Sequence, residues 1–206
     1  MKKQMKYMVG DFETTVYEGQ TLTEVWASAV VELGTEDVKI HHSIRETYNY
    51  LYNLKQNICI YYHNLKFDGS FWLSFLLVDL KYEQKLYVNP NNESDVHFLK
   101  EKDLTPKSFV YSISDMGQWY SILIKTPYAY IEIRDSLKLL PFSVEQIGKS
   151  FQTKHRKLNM EYKGFRYAGC PITDDEKRYI ANDVLVVKEA LEIMQNNGHL
   201  KLTIGS

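Results

Sequence analysis

Four acidic residues in three separated motifs are the part of this 206-residue chain whose types and spacing suit them to chemistry. They are Asp11 and Glu13 in Gly10-Asp11-Phe12-Glu13-Thr14-Thr15, Asp68 in His63-Asn64-Leu65-Lys66-Phe67-Asp68-Gly69, and Asp183 in Tyr179-Ile180-Ala181-Asn182-Asp183. Carboxylates gathered onto one spot from distant parts of a chain repel one another and are costly to hold together unless cations sit between them. The economical reading is a site for two divalent ions, Mg²⁺ or Mn²⁺. Two-metal sites make or break phosphodiester bonds.

Each motif also has a plainer explanation. Asp11 and Glu13 are two apart at the end of an apolar strand, so both side chains leave one face while Phe12 points to the other. An isolated Asp-x-Glu is more simply a solvated acidic face. Tyr179 and Asp183 are neighbours on one face of a helix, where the hydroxyl could orient a water molecule beside a metal-bound carboxylate; a tyrosine packed in the core is the alternative. Thr14, Asn64 and Phe67 flank the acids and could hold a terminal nucleotide. His63 is equally a buried, hydrogen-bonded histidine or a DNA contact. Lys154, Arg156 and Lys157 form a local basic cluster that is either a solvated face or a group able to neutralise a phosphate.

The elements that must position these groups can be read from periodicity and turn signals. Residues 7–12, 21–33 and 38–41 read as three strands of a small meander. Ser43 and Glu46 form a capping box that opens a helix carrying Ile44, Tyr48, Leu51 and Tyr52. A buried strand is expected over 57–62 and a helix over 70–80, which puts Asp68 just beyond a strand end, where α/β folds build sites. Residues 83–107, with Asn89-Pro90-Asn91-Asn92 and Thr105-Pro106, are expected to be a long loop insertion. Strands follow over 109–114, 118–124 and 128–134, then a short helix over 144–151. Residues 154–169 are basic and aromatic without a period. A second capping box, Thr173 to Glu176, opens a long helix to about Asn196. The order favours a mixed central sheet flanked by helices in a single α/β domain over 1–206.

Composition narrows the function. With 25 Lys plus Arg against 26 Asp plus Glu, bulk attraction to a polyanion is absent, so any DNA contact must come from local cations and from aromatic stacking. Cys59 and Cys170 stand alone, with neither zinc-ligand spacing nor a disulfide framework. No window reaches the length of a membrane span and no secretory signal opens the chain, so a soluble, cytoplasmic, monomeric protein is expected.

The three acidic motifs in this order resemble the 3′-5′ proofreading exonuclease domain of family B DNA polymerases. More narrowly, the chain is similar to the protein-primed polymerases of phages that carry a terminal protein. That resemblance rests on Asp-Phe-Glu-Thr-Thr at 11–15, Tyr-His-Asn-Leu-Lys-Phe-Asp-Gly at 62–69, Met-Gly-Gln-Trp-Tyr at 116–120, Asp-Ser-Leu-Lys at 135–138, Leu-Pro-Phe at 140–142 and Tyr-Ile-x-Asn-Asp at 179–183. It implies an RNase H-like (DnaQ-like) fold. It makes Asp11, Glu13, Asp68 and Asp183 the metal-binding acids, and Tyr179 the residue that orients the attacking water. One ion would be held by Asp11, Glu13 and Asp183 and a second by Asp11 and Asp68, giving an in-line displacement that releases 5′-mononucleotides. The same resemblance assigns Thr14, Asn64, Phe67, Ser136, Leu137 and Phe142 to single-stranded DNA. Tyr61, His63, Phe71 and Tyr162 would seat the primer terminus. Lys157 would contact the scissile phosphate, with Lys154 and Arg156 as alternatives because 153–160 departs from the family's pattern.

Residues 202–206 resemble the junction at which the family continues into its polymerase domain, whose Tyr-x-Asp-Thr-Asp signature is absent here. The chain is therefore expected to be either a piece of a polymerase or a free-standing exonuclease of an infected host cell. Its partners would be a single-stranded DNA 3′ end, a terminal protein and an attached polymerase domain. Two rivals remain at this level: a non-catalytic module that grips single-stranded DNA or a priming protein, and a ribonuclease of the same superfamily.

Overall fold

The computed structural model describes residues 4–97 and 99–200. Strands β1 (Lys6–Glu13), β2 (Ala27–Glu32) and β3 (Lys39–His41) form the expected antiparallel meander. β2 is about half the span anticipated, because residues 14–26 form a connecting loop instead. The backbone of Gln20 turns back onto Tyr17 (N–O 2.9 Å) beside Gly19 at φ +83°, and regular pairing resumes only after Trp26 N bonds Glu13 O at 3.0 Å.

Helix α1 (Ile44–Asn53) starts at Ser43, whose hydroxyl accepts from Glu46 N at 3.1 Å. The reciprocal half of the box is missing: the Glu46 carboxylate accepts from His42 N instead. β4 (Ile58–Tyr62) is buried at every position, as a parallel strand covered on both faces must be.

Helix α2 (Leu65–Ser74), continued by a wider π-type turn over Phe75–Asp79, begins five residues earlier than its periodicity suggests. The switch from strand to helix is made in one residue: Asn64 takes φ +66°, a left-handed conformation that asparagine tolerates better than most side chains. Asp68 therefore lies in the first turn of α2 rather than on a loop beyond a strand, where the positive end of the helix dipole favours a carboxylate.

Residues 83–107 are not a plain loop. They contain β5 (Glu83–Gln84), the hairpin β6 (Tyr87–Asn89) to β7 (Asn92–His97), and a 3₁₀ turn over Glu101–Asp103. The Asn-Pro-Asn-Asn signal is the hairpin's turn, with Asn89 paired to Asn92. β8 (Ser108–Ile113), β9 (Trp119–Lys125) and β10 (Tyr130–Asp135) complete an eight-stranded sheet of order β3-β2-β1-β4-β10-β9-β8-β5. Helices α3 (Val144–Ser150) and α4 (Asp174–Asn196) close the chain. Thr173 caps α4 as expected, but the Glu176 side chain is held by Arg166. A reciprocal capping box is instead found at Ser143 and Gln146, ahead of α3.

The sheet separates two cores. On one face Met8, Phe12, Ile58, Ile60 and Tyr62 pack with Trp72, Phe75 and Leu76 beneath α1 and α2. On the other, Val9, Cys59, Tyr61 and Ala29 pack against Ile147 of α3 and Ile180, Val184, Val187 and Leu191 of α4. An antiparallel meander whose first strand runs parallel to β4, and β4 parallel to β10, with helices on both faces, is the RNase H-like arrangement.

Gly10 is required by packing against β4: a Cβ there would lie 2.6 Å from the Tyr62 ring. Gly10→Ala is expected to lower stability by about 1–3 kcal/mol through forced repacking, read as a lower urea midpoint with an unchanged slope.

Candidate functional site

The site forms where β1 ends. Alternation along β1 sends Phe12 into the α1/α2 core, against Tyr62 (ring centroids 5.0 Å) and Trp72 (5.6 Å), and so turns Asp11 and Glu13 toward α4. Asp183 arrives on the buried face of α4, one turn after Tyr179, and Asp68 arrives from the first turn of α2. Three elements thus deliver four acids to the C-terminal end of the parallel strands β1 and β4.

Their electrostatics are those of crowded, desolvated carboxylates. Burial, and then the Asp183 charge, push Asp11 up to about 7. Burial, and then Asp11 and Asp183, push Glu13 up to about 8. Asp68 is raised well above the carboxylate range by burial and by Asp11, Glu13 and Asp135. Asp183 is raised by burial, with Lys157 opposing. Lys157 Nζ donates to Asp183 Oδ2 at 2.7 Å, while Asp183 Oδ1 is buried with no hydrogen-bond partner.

The donor set fits hard divalent cations: it is all oxygen, it carries more negative charge than one lysine offsets, and it leaves one buried ligand atom unsatisfied. Among the described residues the only His/Cys/Asp/Glu group with ligand atoms all within 4.8 Å is Glu36, His155 and Glu189, on the outer side of α4. The four acids stand wider apart than that, as mutually repelling groups do. A two-ion cluster, about 3.5–4 Å between ions, spreads its ligands in the same way.

The basic run 154–157 is resolved by geometry. Lys154 pairs with Glu36 at 3.0 Å, and Arg156 is bound to the Gly148 and Thr153 carbonyls and to Thr153 Oγ1. Lys157 alone of the three is bonded to a site carboxylate, and its ammonium also lies 5.5 Å from the centre of the Tyr179 ring. Tyr179 in turn packs edge-on to Tyr162 (5.7 Å), whose hydroxyl lies beside Glu13 without closing a hydrogen bond of ordinary geometry. A cavity of about 160 Å³ lined by Gly10, Asp11, His63, Val144 and Asp183 adjoins the acids.

The other sequence-predicted residues divide into a rim and a support. Phe67 is 65% exposed, Phe142 is exposed, and Thr14, Asn64 and Leu137 are partly exposed. Three further expected DNA contacts, Tyr61, His63 and Ser136, are engaged within the fold. Tyr61 is fully buried in the α4-side core, because it occupies the β4 position that points away from Tyr62. Ser136 is also fully buried, and its hydroxyl bonds His63 Nδ1 at 3.0 Å. His63 Nε2 meets the Phe142 carbonyl at 2.7 Å, so Nε2 carries the proton and Nδ1 accepts from Ser136. Both nitrogens are thus engaged within the fold, burial pulls its pKa below the ordinary imidazole value, and His63 lines the cavity beside Asp11 and Asp183. Phe71 packs on the α1/α2 core and lines a groove with Val25 and Ile44.

Asp135 is the residue that motif reading passed over. Buried at the end of β10, its Oδ1 accepts from Asn64 N (3.0 Å) and Leu137 N (2.9 Å), which pins the start of α2, and hence Asp68, to the sheet. Its presence in Asp-Ser-Leu-Lys was the available signal. Trp26 was also missed; it lies edge-on beneath Tyr162 at 4.7 Å.

Residues 51–197 match the family described as DNA polymerase type B, organellar and viral. The chain belongs to that family. It is 34% identical over 203 residues to the DNA polymerase of Bacillus phage B103, and 34% identical over 202 residues to that of Bacillus phage phi29. Each alignment covers 95% of this chain and 32% of the relative, so the chain spans about a third of the relatives' length. The structure superposes on phi29 DNA polymerase complexed with single-stranded DNA with a TM-score of 0.77 at 30% identity, covering 96% of this chain and 33% of that one. Its complex with primer-template DNA gives a TM-score of 0.78, covering 97% of this chain and 33% of that one. The narrower likeness to protein-primed phage polymerases and the RNase H-like fold both stand on these matches. Among the described residues no helix is long and apolar enough to cross a membrane.

Raised acid pKa values make the metal-free fold pH-sensitive. Acids that bind protons more tightly when folded lose stability as pH rises from their unfolded values, near 4, to their folded ones, about 7 and 8 for Asp11 and Glu13. In chelator the melting temperature is expected to fall across that interval, and Asp11→Asn/Glu13→Gln to flatten the fall.

Proposed function

We propose that this domain removes nucleotides from the 3′ end of single-stranded DNA as the proofreading exonuclease of a protein-primed polymerase. The observation that carries the reading is the convergence of Asp11, Glu13, Asp68 and Asp183, all with raised pKa values, beside one lysine and one tyrosine. The complexes of phi29 DNA polymerase with single-stranded and primer-template DNA support DNA as the substrate class.

Asp11, Glu13 and Asp183 would hold one divalent ion and Asp11 and Asp68 a second, and bound there the ions supply positive charge to the phosphate and to its attacking and leaving oxygens. The chain's own residues do the positioning. Phe67, exposed on the first turn of α2, offers a ring to the terminal base, and Asn64 and Thr14 offer hydrogen bonds around it. Tyr179 holds the attacking water in line with the P–O3′ bond. Burial raises its pKa, so at neutral pH it acts as a hydroxyl that orients water rather than as a phenolate base. Lys157 is close enough to exchange Asp183 for a phosphate oxygen when the substrate enters. Water adds to phosphorus, the P–O3′ bond breaks, and a 5′-mononucleotide leaves.

Replacing Asp11 and Glu13 together by Ala is expected to abolish Mg²⁺- or Mn²⁺-dependent digestion of a 3′-ended oligonucleotide while the circular dichroism stays native. Persistent digestion by that double variant would remove the reading. Tyr179→Phe is expected to slow hydrolysis roughly ten- to a hundred-fold with unchanged oligonucleotide affinity, since a contact made in the transition state is lost and the ring is kept. Equal rates for Tyr and Phe would assign Tyr179 to packing.

A further inference from the structure

We infer that Tyr17 and Phe165 form a second base-stacking subsite, outside the terminal-nucleotide pocket, for the single-stranded DNA that leads into the site. The inference rests on the proposed DNA-binding function and extends it to residues that none of the acidic motifs includes. Tyr17 and Phe165 are 47% and 61% exposed, and their ring centroids lie 5.0 Å apart at 41°. Two large rings exposed together lose apolar burial, and here nothing in the fold requires them to meet: they come from loops separated by most of the chain. The rings are too close to admit a base between them, so what they offer is their outer faces, a contiguous aromatic surface open to solvent.

The pair is built rather than accidental. The Gln20 side chain staples the two loops by bonding both backbone groups of Arg166: Nε2 donates to Arg166 O at 2.6 Å and Oε1 accepts from Arg166 N at 3.2 Å. The same Oε1 accepts from Tyr17 N at 3.2 Å, so one carboxamide ties the backbone of Tyr17 to that of Arg166, the residue next to Phe165. Arg166 is anchored beneath by a buried two-point ion pair with Glu176 (2.7 and 3.0 Å), with its guanidinium 4.5 Å from the Trp26 ring. The platform therefore stands on a rigid base, which lowers the ordering cost of any ligand that lies on it.

Its placement points to the strand next to the terminal nucleotide. Tyr17 is four residues from Glu13, so its backbone lies within about 14 Å of that acid even at full extension. Phe165 is three residues past Tyr162, whose hydroxyl lies beside Glu13. Exposed Lys163 and Tyr167 flank Phe165 and supply a cation for the backbone and a further ring. Bases have π-faces of every sequence, so such a platform grips any single strand, and a chain of net charge −1 relies on stacking where it lacks a basic surface.

The test uses thymidine oligonucleotides blocked with a 3′-phosphate, in chelator, so that binding is read by fluorescence anisotropy without hydrolysis. Tyr17→Ala/Phe165→Ala is expected to bind a decanucleotide at least ten-fold more weakly than the parent chain, to bind a trinucleotide as the parent does, and to cleave saturating unblocked oligonucleotide at the parent rate. Tyr17→Phe, which keeps the ring, is expected to bind both lengths like the parent. An unchanged affinity for the decanucleotide would overturn the subsite and leave the pair as a surface for protein contact. Equal losses for both lengths would overturn it as well, by locating the defect in the terminal pocket or in the fold. Because the readout is binding, a chain that bound DNA length-dependently through these rings but did not cut it would defeat the exonuclease reading and spare this one.

Discussion

Like-charge repulsion in a desolvated pocket is the constraint on which the rest of this structure depends. Burial raises all four acids, and on top of it the Asp183 charge raises Asp11 and Glu13, Asp11 raises Glu13, and both raise Asp68. Nothing in the acids themselves favours that proximity, so the frame must impose it. It does so with parts that resist displacement: the central strand β1, a helix start fixed by Asp135, and the buried face of a 23-residue helix. The Lys157 ammonium bonds Asp183 and opposes the shifts of Asp11, Glu13 and Asp183 without cancelling them. The stability that the two cores supply is partly consumed in holding these acids together, the usual relation between function and strain.

The sheet explains how a single sequence step separates these duties. On β1, successive residues serve opposite cores: Phe12 closes the aromatic cluster under α2, while Asp11 and Glu13 on either side of it face α4. A one-residue slip in the register of β1 would bury both acids in that aromatic cluster. Pairing on two sides, antiparallel with β2 and parallel with β4, excludes the slip, and Gly10 against Tyr62 fixes the spacing of β1 to the face of β4.

How far the sequence could be read follows from which interactions are local. The two-residue spacing of Asp11 and Glu13, the i and i+4 pair Tyr179 and Asp183, and the strand and helix order are local patterns, and they were legible. The start of α2 was not, because it depends on Asn64 entering the left-handed region, held there by an aspartate 71 residues away. Tyr61 and Tyr62 are adjacent on a strand buried on both sides, and no period distinguishes the one facing the site from the one facing the other core. The family pattern named Tyr61 and Ser136 as contacts with DNA, and burial makes both of them supports. Which of Lys154, Arg156 and Lys157 reaches Asp183 depends on an irregular segment in which Gln152 adopts φ +51°. Such a segment carries no periodic signal, so only the folded chain could show which cation reaches Asp183.

If the domain holds DNA as proposed, a chain of net charge −1 has few charges with which to do it. Most basic side chains near the site are committed elsewhere: Lys149 to Glu145, Lys154 to Glu36, Arg156 to backbone carbonyls and Arg166 to Glu176. The last three fasten the segment over 152–173 to the β2–β3 connection, α3 and α4, and in doing so they help to place Lys157 by the acids and Phe165 by Tyr17. Local cations thus act as architecture rather than as a binding surface. Under the proposed function, contact with a strand would fall to Lys157, Lys163 and exposed rings, whose attraction for bases is not weakened by salt as a phosphate contact is. For the proposed exonuclease, shallow electrostatics would be an advantage: a strongly basic groove would retain the strand that the chemistry had just shortened.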